Sequence, residues 1–163
     1  MARLLIVHHS PTRGVQALTD AVVAGAGDDA IEDVDVVVRP ALEASADDVL
    51  AADGVVLGTS ANFGYMSGAL KHFFDAHFLA IGGALADDGS GADAATSGTT
   101  LPFGLYVHGR YDTTGAIRSV LAITGALPWR QAARVLDVLG EVGAEEEARA
   151  YELGGTLAAL LMA

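Results

Sequence analysis

The chain has 163 residues, 52% hydrophobic and 18% charged, which suits one domain of about 100–200 residues and excludes an intrinsically disordered protein. It has no cysteine, which rules out disulfides, thiolate metal sites, iron–sulfur clusters and cysteine nucleophiles. Nine Lys+Arg against 21 Asp+Glu leave a net charge of −12, so the molecule repels nucleic acid and anionic membrane.

The first apolar run, residues 4–7, is too short for a signal peptide, and no stretch approaches the length of a membrane span. The expectation is a soluble, cytoplasmic chain. That same run, Leu4-Leu5-Ile6-Val7, is continuous and aliphatic and is followed at once by turn residues, which reads as a strand buried on both faces. Residues 15–26 then carry Val15, Leu18, Val22 and Ala26 at helical spacing, with Gly25 and Gly27 read as the stop. A second strand covers 34–38. Ser45 with Asp48 three residues on predicts a capping box that opens a short helix to Ala52.

A third buried strand, Val55-Val56-Leu57, is bounded by Gly54 and Gly58. Residues 68–79 form a helix with Leu70, Phe73, Phe74, His77 and Phe78 on one face, and the Lys71/Asp75 pair on the other. A fourth strand covers 103–107, and a helix follows over 113–125. Residues 133–139 supply a fifth strand. The acidic turn Glu145-Glu146-Glu147 opens a last helix buried through Leu153, Leu157, Leu160 and Leu161.

Strands alternating with helices predict an α/β fold, a parallel sheet covered on both faces. Residues 82–100 stand apart, built of Gly, Ala, Asp, Ser and Thr with Leu85 as the one large apolar residue. They read as a surface insertion in a single domain spanning 1–163, at the end of the sheet away from the strand C-termini.

Ligands of an open parallel sheet bind beyond the strand C-termini. Three loops there have unusual composition. The first offers Ser10, Thr12, Arg13, Gly14, Val15 and Gln16, an inventory of hydroxyls, one guanidinium and free helix-start N–H groups that suits a phosphate. It contains no Gly-Lys-Ser/Thr and no G-x-G-x-x-G, which argues against a triphosphate or a dinucleotide. The second, Thr59, Ser60, Ala61, Asn62, Phe63, Gly64 and Tyr65, and the third, His108, Gly109, Arg110, Tyr111 and Asp112, bring aromatics and hydrogen-bonding groups that suit a planar heterocycle. Phosphate plus planar ring spells a flavin mononucleotide (FMN) site, with no metal.

The run Ala52-Asp53-Gly54-Val55-Val56-Leu57-Gly58-Thr59, followed by Asn62-Phe63-Gly64, Met66-Ser67-Gly68 and Lys71-x-Phe73-x-Asp75, resembles the flavodoxin-like family. The resemblance is nearest to its NAD(P)H-dependent FMN reductase and WrbA-type quinone reductase branch. It implies a three-layer sandwich with five parallel strands in the order 2-1-3-4-5. It also implies FMN held by the three loops, NAD(P)H as electron donor, and a quinone, flavin or other small molecule as acceptor. Oligomerisation is usual in that branch. Many relatives have proline where Ser60 or Ala61 stands, and glycine where Arg110 stands.

The same residues suit a flavodoxin acting as an electron carrier for a redox partner protein, and, third, a cofactor-free scaffold. Among the histidines, His77 reads as core, at most one of His8 and His9 reaches the first loop, and His108 is the candidate donor beside the ring.

Overall fold

A computed structural model describes residues 1–90 and 100–162. Residues 91–99, most of the second half of the insertion expected at 82–100, lie outside the described residues. Along the chain run β1 (Ala2–His8), α1 (Arg13–Ala26), β2 (Val34–Pro40), α2 (Ala46–Leu50), β3 (Gly54–Asn62), β4 (Tyr65–Met66) and α3 (Gly68–His77). They are followed by β5 (Leu101–Gly109), α4 (Thr114–Thr124), β6 (Trp129–Gln131), β7 (Leu136–Leu139) and α5 (Ala144–Ala159).

The sheet runs β2-β1-β3-β5-β6, with β7 also on β5, and all of these pairings are parallel. Leu4, Leu5, Ile6 and Val7 are wholly buried, because helices cover both faces and leave no polar side for alternation to mark. Side chains still alternate between two cores. Leu5, Val7, Val55, Leu57, Leu105 and Val107 face Phe73, Phe74 and Trp129. Leu4, Ile6, Val56, Tyr106 and Val138 face Val15, Leu18 and Val22 of α1 and Leu153 and Leu157 of α5.

Four expectations change. The single fifth strand over 133–139 is two short strands. β5 advances from Phe103 to Tyr106 while the edge chain advances from Gln131 to Leu136, so the surplus residues must leave the ladder. Gly25 does not end α1, which continues through Ala26 to Gly27; its reason for being glycine lies in packing. Leu160 is 53% exposed because α5 ends before it, while Leu161 packs against the core. The helix expected over 68–79 closes at His77, leaving Leu79 exposed.

The capping box at Ser45 and Asp48 forms, with reciprocal bonds of 2.9 and 3.1 Å. In the described start of that segment Gly82 lies against Pro128, whose carbonyl accepts from Leu101 N at the start of β5.

Candidate functional site

The three loops converge at the C-terminal edge of the sheet. His9 N donates to the Gly58 carbonyl (3.0 Å), which fastens the first loop to β3. A Cβ at Gly14 would lie 2.9 Å from Cε1 of His108, so the first turn of α1 rests on the end of β5. The second loop is a hairpin between β3 and β4, absent from the sequence reading. Asn62 pairs with Tyr65 across Phe63 (φ 52°) and Gly64 (φ 80°), so both turn residues are left-handed as a two-residue type I′ turn requires. The Asn-Phe-Gly run was the available signal, hidden because position one of such a turn usually holds Asn or Gly rather than a bulky aromatic. Gly115 in the first turn of α4 has no Cβ where one would overlap the Gly64 carbonyl, so the hairpin is seated directly on α4.

Many hydroxyls of the candidate set are committed within the protein. Thr59 Oγ1 accepts from Ser67 N (2.9 Å) and donates to the Ser60 carbonyl. Ser60 Oγ donates to Asn62 Oδ1 (2.8 Å), holding the amide in place. Ser10 Oγ is turned inward, 2.8 Å from His8 Nδ1 and 2.7 Å from Thr19 Oγ1, and Thr19 Oγ1 is 2.6 Å from the Tyr106 hydroxyl. Gln16 Nε2 donates to Asp20, and Val15 is buried with its N–H directed at the Thr12 side chain. His108 Nε2 donates to the Gly140 carbonyl (2.6 Å), so that nitrogen ties down the loop after β7. Asp112 accepts from Thr114 N at the start of α4, a bond that holds its carboxyl below the usual range. Ala61 and Gly109 pack side by side on neighbouring strands.

What faces outward is a different set. Thr12 caps α1, leaving the N–H groups of Arg13 and Gly14 free of helical partners. Among the described residues neither Arg13 nor Arg110 has a carboxylate partner. Phe63 is fully exposed, Tyr111 is 89% exposed and Tyr65 is exposed as well. His77, by contrast, is half-buried, packs edge-on against Phe73 and bonds the Ala44 carbonyl (3.1 Å), a structural role.

His8 is half-buried, and desolvation first, then the neighbouring His9, holds it below its ordinary value of 6.5, against an opposing pull from Asp20. Above about pH 6.5 both folded and unfolded chains carry it neutral, and it adds no pH dependence. As pH falls below that value the unfolded chain takes the proton first, so stability drops. Urea midpoints of the wild type are expected to fall more between about pH 7 and about pH 5 than those of His8→Gln. Parallel curves would show that His8 titrates normally.

A cleft of about 1010 Å³ lies at the sheet edge where β6 gives way to β7, lined by Ile117, Val135, Asp137, Arg149 and Glu152 among others.

No family model matches the chain. Over 75 residues it is 32% identical to a flavodoxin of Aquifex aeolicus (strain VF5), a match spanning 46% of this chain and 40% of that protein. A flavodoxin from the domain Archaea superposes over 98% of both chains with a TM-score of 0.75 at 15% identity. The fold is flavodoxin-like. A flavodoxin, WrbA-like protein from Agrobacterium tumefaciens covers 99% of this chain and 98% of its own, with a TM-score of 0.71 at 16% identity. Among the described residues no helix is long and apolar enough to cross a membrane.

Proposed function

We propose that this chain is an FMN-binding electron-transfer protein, with FMN held where the three loops meet. The observation that carries the reading is the convergence, at the C-terminal edge of a flavodoxin-like sheet, of an open helix N-terminus and an exposed aromatic hairpin. The donor set fits the group. The free N–H groups of Arg13 and Gly14 and the Arg13 guanidinium would hold the phosphate. Gly14, lacking a side chain, lets that helix start pack against His108 and Val142. Phe63, Tyr65 and Tyr111 supply flat apolar surface for the ring, and the backbone of residues 59–65 and 108–112 supplies its hydrogen bonds. FMN when bound would supply the redox chemistry, so the protein needs no acid–base pair of its own.

Arg13 and Arg110 favour an enzyme that takes electrons from NAD(P)H and passes them to a quinone, a flavin or another small acceptor. In a chain of net charge −12, two cations at the mouth, without carboxylate partners among the described residues, would draw an anionic reactant. The likeness to the Aquifex flavodoxin favours a second reading, an electron carrier whose acidic surface meets a basic redox partner.

The test is the visible spectrum of the protein after FMN addition and desalting, then after anaerobic NADPH or NADH. Retained flavin bleached by a nicotinamide supports the enzyme; retained flavin indifferent to both supports the carrier. No retained flavin defeats both readings and leaves a scaffold without cofactor. A Gly14→Val variant, whose Cβ crowds His108 and Val142, is expected to bind FMN at least about tenfold more weakly, about 1.4 kcal/mol, while keeping its circular dichroism spectrum. Unchanged affinity would remove the first loop from the site.

A further inference from the structure

The hydroxyls beneath the first loop are ordered from the buried end outward, and among the described residues His8 Nδ1 is the one acceptor left for the Ser10 proton. Tyr106 is fully buried and among the described residues its hydroxyl meets no side chain but Thr19, so its O–H donates to Thr19 Oγ1. Thr19 is itself buried, and with its oxygen accepting from Tyr106 its own proton goes to Ser10 Oγ (2.7 Å). Ser10 in turn gives its proton to the next oxygen or nitrogen in reach, His8 Nδ1 (2.8 Å). The chain ends on an acceptor, so His8 carries its hydrogen on Nε2. Running the chain the other way would leave the Tyr106 proton buried without an acceptor, and no buried side-chain polar atom among the described residues is without a partner.

Two consequences follow for the loop above. Ser10 has spent its one proton inward and has none to give a ligand. His8 ends β1 where the first loop begins, its ring is half-exposed, and among the described residues its Nε2 has no protein partner. The charged groups around it are His9 and Asp20 of α1; its strand neighbours, Pro40 and Gly58, carry none. We propose that the Tyr106–Thr19–Ser10–His8 chain fixes His8 as the neutral Nε2–H form and makes His8, in place of Ser10, the side-chain donor to the phosphate of the bound ligand. This rests on the FMN reading for the ligand, while the proton order stands on the protein alone. Tyr106, Thr19 and Ser10 are then positioning residues that act through His8.

The test uses the full chain labelled with nitrogen-15. Ring-nitrogen NMR of His8 is expected to show Nδ1 bare and Nε2 protonated in the wild type. A Tyr106→Phe variant, which frees the chain from its fixed direction, is expected to show a mixture of the two forms. A protonated Nδ1 in the wild type, or no change in the variant, would overturn the proton order.

Inorganic phosphate is expected to shift the Nε2 signal, and a silent Nε2 would overturn the donor role even if FMN binds well. For affinity, His8→Leu is expected to bind FMN about tenfold more weakly, about 1.4 kcal/mol, with riboflavin binding unchanged. His8→Gln, which offers an acceptor and an N–H donor in similar places, restores FMN affinity to within about threefold, well under that 1.4 kcal/mol. Equal losses for FMN and riboflavin would assign His8 a structural role only. Failure of the wild type to bind FMN at all would instead strike the FMN reading, and the phosphate titration would still decide the role of His8.

Discussion

Gly154→Ala is expected to lose about 3 kcal/mol of folding stability, against the roughly 1 kcal/mol gain that alanine normally brings to a helix interior. A Cβ at Gly154 on α5 would overlap the Val22 carbonyl of α1, and one at Gly25 on α1 would overlap the Tyr151 carbonyl of α5. The two helices therefore touch backbone to backbone, and neither obstacle is a side chain that could swing aside. Helix separation is the only relief, and it would open the core packed by Val15, Leu18, Val22, Leu153 and Leu157. Gly68, which starts α3 with open space around it, serves as the control: Gly68→Ala is expected to be neutral or stabilising. Equilibrium urea unfolding of the two variants reads the difference directly. A Gly154→Ala protein as stable as wild type would mean that α1 and α5 do not meet in this way.

That contact also marks where the sequence stops speaking. Strand runs such as 4–7 and 55–57 were legible because burial on both faces removes polar residues, and aliphatic continuity is itself the signal. Gly25 misled because a glycine near a helix end looks the same whether it serves a cap or a neighbouring backbone; only the partner helix, more than a hundred residues on, tells them apart. The edge strand misled for a related reason. Residues 133–139 are apolar enough for a strand, but the register that forces a break belongs to β5. At the site, composition found the three loops and their place beyond the strand ends. It could not say which hydroxyls face inward, since Ser10 and Thr12 read alike in one dimension. One caps a helix at the surface, and the other is claimed by Thr19 and His8 from below.

Gly58→Ala is expected to cost about 3 kcal/mol or more, and the cost is expected to depend on Tyr106. His8, Gly58 and Tyr106 stand in one row across β1, β3 and β5. A Cβ at Gly58 would overlap both the ring and the hydroxyl of Tyr106, so the glycine is the slot through which that ring crosses β3 to reach Thr19. An alanine there must displace a fully buried ring and strand its hydroxyl, which adds a lost buried hydrogen bond of about 1–3 kcal/mol to the steric cost. Replacing the ring removes the obstacle. In Tyr106→Leu the Gly58→Ala substitution should cost little, giving a coupling on the order of 2 kcal/mol in a double-mutant cycle of urea midpoints. Additive losses would show that Gly58 is glycine for the backbone's sake. Strong coupling would show that β3 is bare at this point to let one tyrosine reach the floor of the first loop, where the anion is expected.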